Sequence, residues 1–354
     1  MFFTSTRDNS VKVTASKAIA DGISPDGGLY IPESIPQLSA DEIKALCNVN
    51  YRERAKKVLG LYLTDFTKEE LDYCVEGAYK EGKFDSEFVA PVVNVHDNVN
   101  ILELFRGPTC AFKDMALQIL PYLLTCSAKK TISDKKISIL VATSGDTGKA
   151  ALEGFRDVEG TKIFVFYPTG GVSEIQKLQM QTQEGNNVSV CAIEGNFDDA
   201  QSRVKEIFTD KQMAEKLAEG GYVFSSANSI NWGRLVPQIV YYVSAYCDML
   251  SVGTDLENGF NVTVPTGKRL GAGQGSVHAG LGLSAQLKAV SHCLCVQAVG
   301  SFGIVNGIVQ EEVSPSLAVG FVVVLCVQGL GHIQAEHSGI GTVGFQEFVH
   351  SVHI

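Results

Sequence analysis

Lys136-Ile-Ser-Ile-Leu-Val-Ala-Thr-Ser-Gly-Asp-Thr-Gly148 runs from a β-rich apolar stretch into a loop of hydroxyl, acidic and glycine residues, and a helical pattern follows over Lys149 to Val158. The same apolar-run character returns in Lys162-Ile-Phe-Val-Phe-Tyr167, in Asn187-Val-Ser-Val-Cys-Ala-Ile193 and in Phe260-Asn-Val-Thr-Val264. Helical patterns at Ser173 to Gln183, Phe197 to Phe208 and Trp232 to Leu250 lie between them. Alternation of this kind predicts an α/β fold whose parallel strands are joined by crossover helices. Such sheets gather ligands at the carboxyl ends of their strands, where loops meet helix N-termini, so chemistry is sought in those loops.

On the N-terminal side, residues 1–95 read as a mostly helical unit. Ser24-Pro-Asp-Gly-Gly-Leu-Tyr-Ile-Pro32 is a turn-forming stretch, and helical patterns follow around Ala40 to Cys47, with Ser39 as its N-cap, and Lys68 to Glu81. On the C-terminal side the composition shifts abruptly after Gly267. Residues 268–354 carry seven charged side chains, lack Asp, Tyr, Trp and Met, and hold six of the seven histidines. Helix or strand periods are hard to assign there, although Phe321-Val-Val-Val-Leu-Cys-Val327 reads as a buried strand.

A chain of 354 residues exceeds one ordinary domain and predicts two or three lobes with small molecules bound between them. With 39 acidic against 29 basic residues, the net charge of −10 argues against nucleic acid or an anionic membrane as partner, since both need a basic face. The nine cysteines have no paired zinc-site spacing and read as reduced thiols in a cytoplasmic protein. No basic-then-apolar leader opens the chain, and no apolar run long enough to span a bilayer precedes Gly267. The expectation is therefore a soluble protein with no membrane span.

Two segments carry candidate chemistry. Thr143-Ser-Gly-Asp-Thr-Gly148 places hydroxyls and free backbone N–H groups at a helix start, an anion site suited to carboxylate or phosphate, although ordinary capping explains the same residues. Lys113 lies in Gly107-Pro-Thr-Cys-Ala-Phe-Lys-Asp114, among small and apolar neighbours that favour burial. Burial disfavours the ammonium and yields the neutral amine that Schiff-base chemistry requires. A lysine in a helix-favouring run is otherwise a solvated surface charge.

The two segments, in this order and about thirty residues apart, resemble the fold type II pyridoxal-phosphate enzymes and, in detail, the threonine synthase family. The likeness continues through Gly171-Val-Ser-Glu-Ile-Gln-Lys-Leu-Gln-Met180, Glu194-Gly-Asn-Phe-Asp-Asp-Ala-Gln201, Ser226-Ala-Asn-Ser-Ile-Asn-Trp232 with Arg234 and Gln238, and Val264-Pro-Thr-Gly267. Ser5-Thr-Arg7 and Asp26-Gly-Gly-Leu-Tyr30 resemble that family's opening segment, so roughly three quarters of the chain is covered. The resemblance implies a two-lobed enzyme: an N-terminal domain over 1–95, a catalytic core over 96–267 and an incomplete or aberrant C-terminal lobe over 268–354. It further implies pyridoxal 5′-phosphate as cofactor and the conversion of O-phosphohomoserine and water to threonine and phosphate. Lys113 would hold the cofactor and shuttle protons at the substrate carbons. Ser144, Gly145, Asp146, Thr147, Gly148, Thr266 and Gly267 would line the cofactor, with Asp146 near its 3′-oxygen. Thr143, Ser144, Ser173, Lys177, Asn231 and Arg234 would meet the substrate, Arg234 being suited to bidentate oxyanion binding. Ser173 is equally a helix cap, and Asn231-Trp232 equally the lead into a long apolar helix. The oligomeric state implied is monomer or homodimer.

The sequence departs from the family pattern at three places. Where the family reads Asn-Phe-Gly-Asn to hold the cofactor phosphate, this chain reads Lys268-Arg-Leu-Gly-Ala-Gly-Gln-Gly275, and only Ser314-Pro-Ser316 resembles a later family segment. A shifted reading frame or damaged gene from about Lys268 produces such a break at a motif boundary. Arg106 stands where the family tends to carry His, and Lys149 where a small residue is usual, and each is expected to crowd the cofactor. Two alternatives stay open: an inactive threonine-synthase-like protein and a serine or threonine dehydratase using the same cofactor.

Overall fold

The computed structural model describes residues 1–97, 99–132, 135–254, 256, 260–263, 276–279 and 322–327. Thr266, Gly267, the 268–275 segment, Ser314-Pro-Ser316 and nearly all of the tail, with the expectations placed on them, lie outside the described residues. In chain order the elements are β1 (Phe3–Ser5), α1 (Ala15–Asp21), β2 (Tyr30–Pro32), α2 (Ala40–Cys47), α3 (Tyr51–Tyr62), α4 (Lys68–Ala78), β3 (Val92–His96), β4 (Val99–Glu103), α5 (Asp114–Leu117) and α6 (Leu120–Thr131). There follow β5 (Lys136–Ala142), α7 (Asp146–Phe155), β6 (Thr161–Pro168), α8 (Glu174–Gln181), β7 (Val188–Ile193), α9 (Phe197–Thr209), α10 (Lys211–Glu219), β8 (Tyr222–Ser226), α11 (Trp232–Ser251), β9 (Phe260–Thr263), β10 (Ser276–Ala279) and β11 (Val322–Val327).

Four parallel strands in the order β7-β6-β5-β8 form the sheet that positions the site. The chain steps outward from β5 to β6 to β7, then returns through α9 and α10 to place β8 on the other side of β5. The order therefore reverses between β5 and β8, and the loops that leave these two strands diverge around a crevice. Apart from Lys136, every residue of β5 is buried, as a central parallel strand covered on both faces requires. Asn228, just past β8, donates from Nδ2 to the carbonyl of Ala142 at the end of β5, 3.2 Å away, and ties the two strand ends together.

Phe260–Thr263 is not a fourth member of the parallel set. It pairs antiparallel with β10 and β11 in a second sheet of order β10-β9-β11-β4-β3. Alternation with helices predicted a parallel partner, but a short apolar strand has the same composition in either orientation. The expected strand at 321–327 is present as β11, paired with β4 and β9.

The N-terminal helices form where caps and apolar spacing agree. Ser39 and Thr67 make reciprocal capping boxes with Glu42 and Glu70. Trp232, at the start of α11, packs its ring 5.2 Å from Phe3 and 5.6 Å from Tyr62, so the opening segment and the helix that follows the parallel sheet share one apolar core. Cys47, Cys74, Cys110, Cys126, Cys191 and Cys247 are free, and no described helix is long and apolar enough to cross a membrane.

Glu42 gives this region a pH dependence. Its carboxylate accepts from Lys57 Nζ at 2.7 Å and from the backbone N–H of Ser39 at 2.8 Å, and these bonds pull its pKa from 4.5 to about 2. A folded-state pKa below the unfolded one means the contribution is complete above pH 4.5 and is lost as pH falls toward 2. Glu42→Gln is accordingly expected to melt below the wild type at neutral pH, with the gap closing across that acid window in thermal scans.

Candidate active site

Lys113 closes the loop that begins at Gly107 and leads into α5. The loop's shape is set by Asp114, whose buried carboxylate accepts from the backbone N–H and the hydroxyl of Thr109, both at 2.8 Å. Burial pushes the Asp114 carboxyl up, and the Thr109 bonds oppose that. A Cβ on Gly107 would stand 2.5 Å from that of Asp114, so glycine is required for the close approach.

The amine of Lys113 lies 3.6 Å from Oδ2 of Asp146 and 4.4 Å from the centre of the Phe112 ring. On the same ring, 5.9 Å from its centre, lies the guanidinium of buried Arg234. Burial lowers the amine's pKa, Asp146 draws it partly back, and Arg234 lowers it further. Burial thus shifts the amine toward the neutral form that a carbonyl nucleophile needs.

Asp146 is the first residue of α7, at the end of the loop that leaves β5. Thr143 organises that loop: its hydroxyl accepts from the N–H groups of Gly145 (3.0 Å) and Gly148 (2.9 Å) and donates to the Gly145 carbonyl (3.1 Å). Ser144 is exposed, while Asp146 and Thr147 are half-buried. Gly145 has φ +146°, a backbone few side chains adopt. A Cβ on Gly148 would approach Thr143 Cγ2 at 2.5 Å, Met180 Sδ at 2.7 Å and Val165 Cγ1 at 2.9 Å. Gly148→Ala is expected to lower stability by about 1–3 kcal/mol through overpacking, measured by urea unfolding.

The remaining candidates divide. Arg234 reaches the Lys113 side of the crevice. Ser173 is the N-cap of α8, in a capping box with Gln176, and Lys177 lies half-buried one residue beyond Gln176. Asn231 holds the scaffold: its Nδ2 donates to the carbonyls of Ile19 (3.0 Å) and Ser226 (2.9 Å), and its Oδ1 accepts from Gly233 N–H at 2.8 Å. Arg106 is drawn to Glu103 and Asp85, and Lys149 to Glu153 and Gln183, along α7 and away from Asp146.

Gln176, at this end of the sheet, escaped the sequence reading, whereas Asn228 lies in the Ser226–Trp232 segment that carries the family likeness. Gln176 donates from Nε2 to Oδ1 of Asp146 at 2.6 Å, and the buried side-chain oxygen of Asn228 has no hydrogen-bond partner among the described residues. Ser173-x-x-Gln176 carries the capping-box signal, which gives no hint that the glutamine also reaches across to α7.

Known proteins resemble this chain in sequence and fold. The family described as "Threonine synthase N terminus" matches residues 2–79, and the family described as "Pyridoxal-phosphate dependent enzyme" matches residues 94–337. The chain belongs to the pyridoxal-phosphate-dependent enzymes. Threonine synthase-like 1 of Macaca fascicularis is 40% identical over 274 residues, 74% of this chain and 36% of that protein. The threonine synthase of Pseudomonas aeruginosa is 38% identical over 268 residues, 75% of this chain and 54% of that protein. The PLP bound threonine synthase from Brucella melitensis superposes with a TM-score of 0.64 at 39% identity, covering 72% of this chain and 52% of that one. The chain therefore spans from about a third to just over half of these relatives' length.

The residues gathered here fit a carbonyl cofactor. Lys113 offers an amine that burial shifts toward its neutral form, the loop after β5 offers backbone N–H groups at a helix start, and the Asn228 oxygen offers a buried acceptor beside that loop. Among the described residues no cluster of His, Cys, Asp and Glu suits a metal ion.

Proposed function

We propose that this chain carries the Lys113 half of a threonine synthase site, acting on O-phosphohomoserine and water to give threonine and phosphate. The observation that carries the reading is the half-buried Lys113 amine 3.6 Å from Asp146 at the start of α7, in a chain whose residues 2–79 match the threonine synthase N-terminal family. In this reading residues 1–95 form the N-terminal domain and 96–267 the catalytic core, with the shared Trp232 packing as support.

Lys113 would bond the cofactor's carbonyl carbon, and Ser144, Gly145, Asp146, Thr147 and Gly148 would border its ring. When bound, pyridoxal phosphate supplies an electron sink for the electrons released at the substrate carbons. The protein's own part is proton movement and charge. When not bonded to the cofactor, the Lys113 amine would be the base for the Cα proton and, as ammonium, the acid that returns a proton to a neighbouring carbon. Asp146 stabilises that ammonium from 3.6 Å. Arg234 supplies a fixed positive charge for an anionic group of the substrate, and Ser173 with Lys177 at the start of α8 offers a second anion contact. Thr143 and Asn231 support the site by shaping its walls.

Product analysis tests the assignment against a dehydratase. Incubated with cofactor, the chain is expected to release phosphate from O-phosphohomoserine and no ammonia from threonine or serine. Ammonia without phosphate assigns the dehydratase reaction, and neither product assigns a chain that has lost activity.

A further inference from the structure

Gln176 connects two parts of the site that the reaction would use together. Its Nε2 donates to Asp146 Oδ1 at 2.6 Å, and its Oε1 lies 3.1 Å from the Ser173 hydroxyl and 3.4 Å from the Ser173 N–H. The approach is built into the backbone: a Cβ on Gly145 would meet the Gln176 amide at 2.5 Å, and Gly145 has the positive φ that only glycine adopts without strain. Both ends of the amide are thus engaged, one on the cap of α8 and one on the carboxylate that faces Lys113.

We infer that Gln176 is a positioning residue that aims the Asp146 carboxylate at the Lys113 amine and links that aim to the start of α8. Asp146 is partly exposed at a helix N-terminus, where water and backbone N–H groups offer it other orientations. A bond to one carboxylate oxygen fixes where the other points. Because Ser173 shares the same amide, an anion drawn to the α8 start would act on the Lys113 environment through Gln176. The last point rests on the threonine synthase reading, whereas the aim of Asp146 does not.

The test uses the full chain without cofactor or substrate, so failure of the proposed reaction leaves it intact. Competitive acetylation of Lys113, followed peptide by peptide by mass spectrometry across pH, reports the state of its amine. The charged groups around that amine are Asp146 on α7, Arg234 on α11 and Asp114 on α5. Loss of a nearby opposite charge lowers a lysine midpoint, so Gln176→Met and Asp146→Asn are each expected to move half-labelling of Lys113 down by about one pH unit. In the Asp146→Asn background, Gln176→Met is expected to add nothing further. Ser173→Ala removes one hold on the Gln176 amide while keeping the Gln176–Asp146 bond, and is expected to move the midpoint in the same direction but by less than Gln176→Met. An unchanged or raised midpoint in Gln176→Met, a shift that persists without Asp146, or an equal shift from Ser173→Ala would overturn the inference.

Discussion

Replacing Lys113 with alanine is expected to abolish retention of pyridoxal phosphate through dialysis and to reduce phosphate release from O-phosphohomoserine by at least about 10³-fold, because one amine serves as both covalent anchor and proton carrier. Its neighbours cannot replace it. Arg234 cannot give up a proton in the working range, and Lys149 is directed toward Glu153 and Gln183. Far-UV circular dichroism should show the variant folded, since Lys113 lies at the head of a four-residue helix and its loop is held by Asp114. Undiminished turnover in Lys113→Ala would remove the residue from the chemistry.

The largest expected effect on stability lies away from the crevice, at Arg54. Its guanidinium donates to the Leu46 carbonyl at the end of α2 (2.9 Å), to the Ser244 hydroxyl (2.9 Å) and to Asp248 (2.5 Å), the last two on α11. One buried side chain thereby fastens three helices, including the one that presents Arg234 to the site. Removing one partner of a buried pair typically costs about 3–5 kcal/mol. Asp248 keeps 27% of its side chain exposed and can rehydrate, so Arg54→Ala is expected near the lower end, about 3 kcal/mol. A falling urea midpoint measures it, and Asp248→Asn should fall by less because Arg54 keeps its bonds to Ser244 and Leu46. A wild-type midpoint in Arg54→Ala would show that the three-helix clasp adds nothing.

Much of the core was legible because local signals and packing agree there. The strands at 136–142, 162–167 and 187–193, and the helix that starts at Trp232, are found within a residue or two of where apolar runs and turns place them. Tyr222–Ser226 went unread, although it flanks β5, because its run is short and ends in two serines that satisfy a strand edge without an apolar pattern. Val92–His96 and Val99–Glu103 were hidden for a similar reason, since β3 is mostly exposed and carries no clean alternation. In the site, the Lys113 and Thr143–Gly148 segments were legible as sequence motifs with chemical meaning. Gln176 was not, because its importance comes from a contact across 30 positions of chain that the packing of α8 against α7 creates, and the tie of Asn228 to Ala142 across 86 positions exists only because β8 returns beside β5. Ser173 and Asn231 show the converse: residue types suited to ligands that the fold uses as caps and ties.

The account stands most directly on where pyridoxal phosphate becomes attached. Borohydride reduction of the chain incubated with the cofactor converts a lysine-bound carbonyl carbon to a stable amine, and peptide mass spectrometry locates it. The expected result is a single phosphopyridoxyl group on Lys113 at stoichiometric cofactor. Label spread over exposed lysines such as Lys44 and Lys68, or no label at all, would contradict it.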